Sequence, residues 1–332
     1  MKFVKTLVTG LGVLAATVGA SQEASAETIK FATLAPKQSV WGQVFQVWEK
    51  AIAKKSDGKL ELVFDYNGSA GDEGAMVGKI KAGQLDGAAM TAVGLSKYYK
   101  PTVAMQMPGV LTDWGKVDKA LGAKGEEFNK GLRDAGATNL GWGFVGLAHV
   151  FTKGEGSTVM KPSDLKSRKP YMWKEDMIAP ITYQIIGATP VGLNVPEVLP
   201  NLKTGAVDTV IAPALAVEQL QWAGQLNSMG NDVTGAAIGA IVISSKRMDA
   251  LPGDLRELVQ STGKLAAGAL TEKIKEADKA AFTRLSGKLK TYDLDSSGKE
   301  AFTSTFKQVR ERLAQGTFSA DLVKAIEAAG GL

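Results

Sequence analysis

The stretch Asn201-Leu-Lys-Thr-Gly-Ala-Val-Asp-Thr-Val-Ile-Ala-Pro-Ala214 carries the first evidence for the fold. It reads as the end of a helix, a capping glycine at Gly205, and a β-branched strand from Ala206 that runs out at Pro213. The same phrase occurs earlier as Lys79-Ile-Lys-Ala-Gly-Gln-Leu-Asp-Gly-Ala-Ala-Met-Thr-Ala92. Aligned, the two share Lys81/Lys203, Gly83/Gly205 and Asp86/Asp208, with Leu85 matched by Val207. Helix–glycine–strand is also ordinary punctuation, so chance is the competing explanation. The copies lie too far apart for a solenoid, whose units recur every ~20–50 residues. Two similarly built α/β halves account for them more simply. Ligands of such sheets sit outside the carboxyl ends of the strands. A ligand held between the halves would therefore face Thr91 and Ala212.

Working outward, Thr28–Leu34 alternates as a strand, and Trp41, Val44, Phe45, Trp48 and Ile52 mark the buried face of a helix over Val40–Lys55. A strand over Leu60–Phe64, a helix over Glu73–Ala82 and a strand over Asp86–Ala92 follow. This β-α-β-α-β rhythm predicts a mainly parallel sheet covered by helices on both faces. Thr138–Phe151 is too long for an ordinary strand, which averages about five to six residues. A strand passing from one domain into the next would explain it. Pro170–Trp173 reads as a strand entering the second half, and a helix is expected over Ala214–Gly224. Asp254 is read as the cap of the longest helical stretch, which reaches Leu289 with Gly263 and Gly268 as weak points. That helix is expected to span two domains or to bend.

Met1–Ala26 reads as a secretory signal peptide. Lys2 and Lys5 precede an apolar stretch, and Ala24-Ser-Ala26 is a small-x-small cleavage site, so the mature chain should begin at Glu27. The apolar stretch is short for a membrane span. The chain contains no cysteine, which excludes disulfides, thiolate metal sites, cysteine nucleophiles and a lipid-bearing cysteine anchor. The missing anchor favours a periplasm. A hydrophobic content of 45% is ample for a core. The net charge of +5 is dispersed, with no basic run suited to nucleic acid.

Catalytic equipment is sparse. His149 is the single histidine, so a multi-histidine metal site is impossible, and no nucleophile motif lies beside it. Gly68, Gly71 and Gly74 lack the Gly-Lys-Ser/Thr ending of a phosphate loop, and no cofactor is called for. The acid pairs Asp72-Glu73, Glu126-Glu127 and Glu175-Asp176 are of the adjacent kind that is usually solvated, although separated carboxylates would still allow a glycosidase. Aromatics are better placed for ligand binding: Trp41, Tyr66, Trp142, Phe144, Tyr171, Trp173 and Trp222 fall at strand ends and loops. Core packing is the alternative for each of them, and the expectation for Trp48.

Seven motifs, in order along nearly the whole mature chain, resemble the substrate-binding proteins of tripartite ATP-independent periplasmic (TRAP) transporters. They are Ser56-Asp-Gly-Lys-Leu-Glu-Leu, Asn67-Gly-Ser-Ala-Gly-Asp-Glu, Ile80-Lys-Ala-Gly-Gln-Leu-Asp, Leu95-Ser-Lys-Tyr-Tyr-Lys-Pro, Lys161-Pro-Ser-Asp-Leu-Lys, Gly187-Ala-Thr-Pro and Thr204-Gly-Ala-Val-Asp. The resemblance implies a two-domain periplasmic-binding-protein-like α/β fold with hinge strands, a long helix shared by both domains, and closure around one small ligand. Domain I is expected over 27–148 plus 237–278, and domain II over 149–236 plus 279–332. The implied role is that of a receptor, not an enzyme, delivering its ligand to a small and a large membrane subunit. Receptors of this kind can also work beside a periplasmic tetratricopeptide partner, to which no residue points.

The departures from the family matter. Its members commonly hold an organic acid through an arginine whose position here falls on Tyr171. A supporting arginine falls near Ala148, and a common asparagine falls on Ala212. Neither Tyr nor Ala can form a bidentate pair with a carboxylate. The candidate ligand-contacting residues are Tyr171, Trp173, Ala212, Ala148, Glu73, Thr91, Leu34 and Val195, and the implied ligand is apolar or amphipathic. The alternatives are an ordinary organic-acid receptor in which a register shift brings Arg168 inward, a periplasmic sensory ligand-binding protein, and an exported hydrolase using acid pairs.

Overall fold

The computed structural model describes residues 26–332, so the expected cleavage site at Ala24-Ser-Ala26 lies largely outside the described residues, as does the rest of the signal peptide. In chain order the strands are β1 (Glu27–Thr33), β2 (Leu60–Asp65), β3 (Gly87–Thr91), β4 (Ala137–Thr152), β5 (Tyr171–Trp173), β6 (Val191–Leu193), β7 (Thr209–Pro213), β8 (Ser228–Gly230), β9 (Gly235–Ser244) and β10 (Lys290–Tyr292). The helices are α1 (Val40–Lys55), α2 (Glu73–Lys81), α3 (Ala92–Leu95), α4 (Trp114–Asp134), α5 (Ala179–Ile186), α6 (Val195–Thr204), α7 (Ala214–Gln219), α8 (Ser245–Ala250), α9 (Gly253–Ser286), α10 (Ser296–Leu313) and α11 (Ala320–Gly330). None of these helices is long and apolar enough to cross a membrane.

Strand β4 organises the sheet. Its first part, Ala137–Ala148, pairs antiparallel with β9, which continues through β3 and β1 to β2. Its last part, Ala148–Thr152, pairs antiparallel with β7, and Phe151 and Thr152 pair with β8. A bridge from Pro170 to Thr209 brings the two-stranded β5–β6 sheet alongside β7. Two α/β lobes therefore share one strand. The parallel pairs β1–β2, β1–β3 and β8–β10 fit the expected rhythm. The sheet as a whole is mixed rather than mainly parallel, because β9 runs against β3 and β4, and β4 runs against β7, β8 and β9.

In the first lobe the two sheet faces feed different cores. Ile29 and Phe31 of β1 join Phe45, Trp48 and Phe64, where the Phe45 and Phe64 rings stack 4.7 Å apart. Ala32 faces the other way, onto Met76, Val77 and Ile80 of α2. Helices thus cover both faces, as the β-α-β rhythm predicts.

The repeated phrase performs the same task in both lobes. Gly83 and Gly205 both take the left-handed conformation, with φ of 73° and 74°, which a glycine adopts without a Cβ penalty. Asp86 donates its N–H to Lys30 O while its carboxylate accepts Lys30 N–H, at 2.8 Å each. Asp208 does likewise with Lys169, at 3.1 and 3.0 Å. The carbonyls complete the match, Asp86 O accepting from Ser244 N and Asp208 O from Lys153 N, both at 2.7 Å. Each aspartate pins the start of its strand to a neighbouring strand or its lead-in.

The long helix α9 is unbroken over 34 residues, hence about 50 Å, and starts from Pro252 rather than Asp254. Gly263 does not bend it. A Cβ there would lie 2.9 Å from Leu140 Cβ, so the glycine lets α9 approach β4. Helix α7 ends at Gln219, earlier than expected, because Gln221 takes a left-handed φ of 63°. Helix α10 packs on α5, but α11 packs on α4 of the first lobe, whereas the expected boundary assigned the whole C-terminal segment to the second. Helical periodicity identifies a buried face but not its partner.

Where β4 changes lobes, its register against β9 shifts between Phe144 and Gly146. Gly146 has φ of 154°, and a Cβ on it would collide with Pro213 Cβ. The buried Asp278 of α9 accepts N–H bonds from Leu147 at 2.8 Å and Leu215 at 3.0 Å, fastening the helix to the bulge and to the start of α7. Asp278→Asn turns part of this acceptor into a donor facing a buried N–H. An unsatisfied buried group costs about 1–3 kcal/mol, and urea unfolding should show a loss of that size with an unchanged m-value.

Candidate functional site

The carboxyl ends of β1, β3 and β7 face a cavity of about 360 Å³ between the lobes. All eight residues singled out from the sequence line it: Leu34, Glu73, Thr91, Ala148, Tyr171, Trp173, Val195 and Ala212. Five of the seven candidate aromatics line it as well, namely Trp41, Phe144, Tyr171, Trp173 and Trp222. The left-handed Gln221 precedes the last of these. Tyr66 instead bonds Glu49 through its hydroxyl, and Trp142 Nε1 bonds Asn129, so both are structural. Phe306 of α10 also lines the wall and was not singled out, since its helical spacing resembles that of any core residue.

Among the described lining residues there is no lysine, arginine or histidine, and the acids are Glu73 and Asp176. Arg168 does not reach the cavity. Its Nε lies 2.5 Å from Thr209 Oγ1, and its Nη2 bonds the carbonyls of Lys153 and Asp208 at 3.0 and 3.2 Å. Thr209 begins β7 whereas Ile211, Ala212 and Pro213 line the cavity, so the guanidinium is bonded about 7 Å back along the strand from the wall. The inward register shift does not occur, because these carbonyls and Asp208, 3.5 Å away, hold the side chain. His149 packs on Phe282 with Nδ1 3.1 Å from Gly230 O, and burial lowers its pKa. It is a structural residue.

The Asp72-Glu73 pair is not solvated, contrary to the expectation for adjacent acids. Both side chains are buried, because α2 begins in the cleft. Glu73 Oε1 accepts Thr91 N–H at 2.7 Å, and Oε2 accepts Thr91 Oγ1 and Gly94 N, each at 2.8 Å. Burial outweighs these three bonds and lifts its pKa to about 7. Asp72 caps α2 through Glu73 N and also accepts, across the cleft, Trp173 Nε1 at 2.9 Å and Val195 N at 3.2 Å. Glu175 of the second lobe accepts Gly74 N at 2.7 Å, at the same helix end. Two carboxylates thus meet the positive end of α2 and hold the lobes together. Along the sequence Asp72 reads only as one of a pair of adjacent acids; its capping of α2 and its reach to Trp173 are set by the structure.

Among the described residues four buried side-chain polar atoms lack a hydrogen bond: Tyr98 OH and Ser228 Oγ, on residues that do not line the cavity, and two on residues that do. Trp41 Nε1 and Tyr171 OH are buried without a hydrogen bond, on residues from opposite lobes that line the cavity.

Replacing Trp173 by Phe keeps the ring and removes the bond to Asp72. Small-angle scattering of Trp173→Phe without ligand should give a larger radius of gyration than wild type, and an equal radius would show that the bond does not hold the lobes. The pH dependence of Glu73 has a definite sign. Its raised pKa means that the folded state retains a proton which the unfolded chain releases near 4.5. The associated stability is full below 4.5 and is lost as pH rises through about 7. Thermal unfolding should therefore show Glu73→Gln gaining on wild type across that window and levelling off above it.

The model of the family described as Bacterial extracellular solute-binding protein, family 7 (DctP), matches residues 31–316. A solute-binding protein of Sulfitobacter sp. (strain NAS-14.1) is 24% identical over 98% of this chain and 99% of its own. Among solved structures, a TRAP periplasmic solute-binding protein from Sulfitobacter sp. NAS-14.1 with bound β-D-galacturonate superposes with a TM-score of 0.83 at 17% identity, covering 91% of this chain and 100% of that one. Another from Sulfurospirillum deleyianum, with bound succinate, gives 0.84 at 18% identity over 92% and 99%. At such identities the superpositions speak for the fold. The family match spans most of the chain, which belongs to bacterial extracellular solute-binding protein family 7, the family of TRAP receptors whose motifs it shares.

Proposed function

We propose that this solute-binding protein captures a small apolar or amphipathic molecule rather than a carboxylate held by arginine. One observation carries the reading: the described residues lining the cavity include no cation, while two of them are acids. Succinate and galacturonate, bound in the structural neighbours, are organic acids. Burying such an anion beside Glu73 and Asp176 would leave its charge unpaired, and only close charge-assisted bonds offset that desolvation. A cavity of this size and apolar character suits a small ligand.

On this reading the chain is a binding protein and not an enzyme, placed in the periplasm after cleavage behind Ala26. Residues 27–148 with 237–278 form one lobe and 149–236 with 279–319 the other, α11 being returned to the first. The eight lining residues named from the sequence supply its contacts, and the small and large membrane subunits receive its ligand. A periplasmic tetratricopeptide partner would show itself as a co-purifying chain.

Calorimetry with short dicarboxylates and uronates, set against aromatic and fatty compounds, tests the ligand class. Apolar compounds should bind with a negative heat-capacity change and the acids should bind weakly. Submicromolar binding of a simple acid would reverse the reading.

A further inference from the structure

Of the buried polar atoms without a hydrogen bond, Trp41 Nε1 and Tyr171 OH are the two on described residues that line the cavity, and the carboxylates near them bond other donors. Asp72 receives Trp173, Val195 and the start of α2; Glu73 receives Thr91 and Gly94; Asp176 receives the N–H groups of Ile178 and Ala179 at 2.7 and 3.2 Å. Neither the indole nor the phenol bonds any of these oxygens. Native structures rarely leave buried donors unmade, since the desolvation of such a group is not recovered elsewhere. Trp41 belongs to α1 of the first lobe and Tyr171 to β5 of the second, so the pair brackets the cavity from both sides.

We infer that the ligand carries uncharged acceptor oxygen, as a carbonyl, ether or hydroxyl, which Trp41 Nε1 and Tyr171 OH receive. This rests on the apolar-cavity reading and specifies its polar end. The indole nitrogen can only donate. The phenol keeps its proton, because burial and the nearby charges of Asp72, Asp176 and Glu73 all disfavour its ionisation. An anionic acceptor would meet the same three carboxyl groups with no cation beside it. A pure hydrocarbon would fill the volume and leave both donors unmade. A neutral oxygen on an apolar body satisfies all of these constraints.

Three probes with one ring system separate the cases: naphthyl methyl ketone, ethylnaphthalene and naphthoate, each titrated calorimetrically into wild type, Tyr171→Phe and Trp41→Phe. In wild type the ketone should bind at least as tightly as the hydrocarbon, despite its larger cost of leaving water, and naphthoate should bind least. The ketone-to-hydrocarbon affinity ratio should fall about 5- to 30-fold in each variant, as expected for one lost hydrogen bond. Taking the ratio within each variant removes effects of altered packing or stability. A ratio unchanged in both variants overturns the inference and leaves the apolar reading standing. Tightest binding of naphthoate, or no binding of any probe, overturns both.

Discussion

One strand serving both lobes is the constraint on which the molecule depends. The antiparallel ladder of β4 passes from β9 to β7 within sixteen residues, and the switch leaves a bulge that no side chain at Gly146 could fit. Backbone groups at such a switch lose their ladder partners and must find others. Asp278 supplies one acceptor for two of them, Leu147 N and Leu215 N, from a helix long enough to run along both lobes. Trp48 Nε1 adds a bond to Thr262, fixing α1 of the first lobe on the same helix. The hinge is thus a hydrogen-bonded crossing rather than a loose linker, and relative motion of the lobes must pass through it.

That crossing decides where the cavity lies. β3 and β7 end on either side of it, so Thr91 and Ala212 are brought to one space although each belongs to its own lobe. The start of α2 opens into the same space and draws in Asp72 and Glu175, which accept bonds across the cleft. Carboxylates there are stabilised by the helix end and by N–H donors instead of cations. The cavity can therefore contain acids and remain poor in cations, an environment opposite to the one an organic acid requires.

Much of this was legible along the chain. The amphipathic α1, the over-long β4, the long helix and the duplicated Lys-x-Gly-x-x-Asp phrase depend on local chemistry: periodicity, capping and β-branching act over a few residues. The role of the phrase's aspartate was not legible there: only the fold brings Asp86 to the backbone of Lys30 and Asp208 to that of Lys169. Tyr171, where the resemblance implies an arginine, was visible along the chain.

Other features depended on which distant residues meet. The fate of Arg168 was settled by the carbonyls of Lys153 and Asp208, and the burial of Asp72 and Glu73 by the orientation of α2 toward the second lobe. Periodicity could not direct α11 back to α4, nor could composition show that Gly263 serves the approach of Leu140. By itself the sequence determined the elements, their duplication and the absence of arginine at the usual position, since these are written in neighbouring residues. Only the tertiary structure decided that the described residues lining the cavity include no cation and that Trp41 Nε1 and Tyr171 OH are left unpaired, because partner, burial and desolvation are properties of groups far apart in the chain and brought together by the fold.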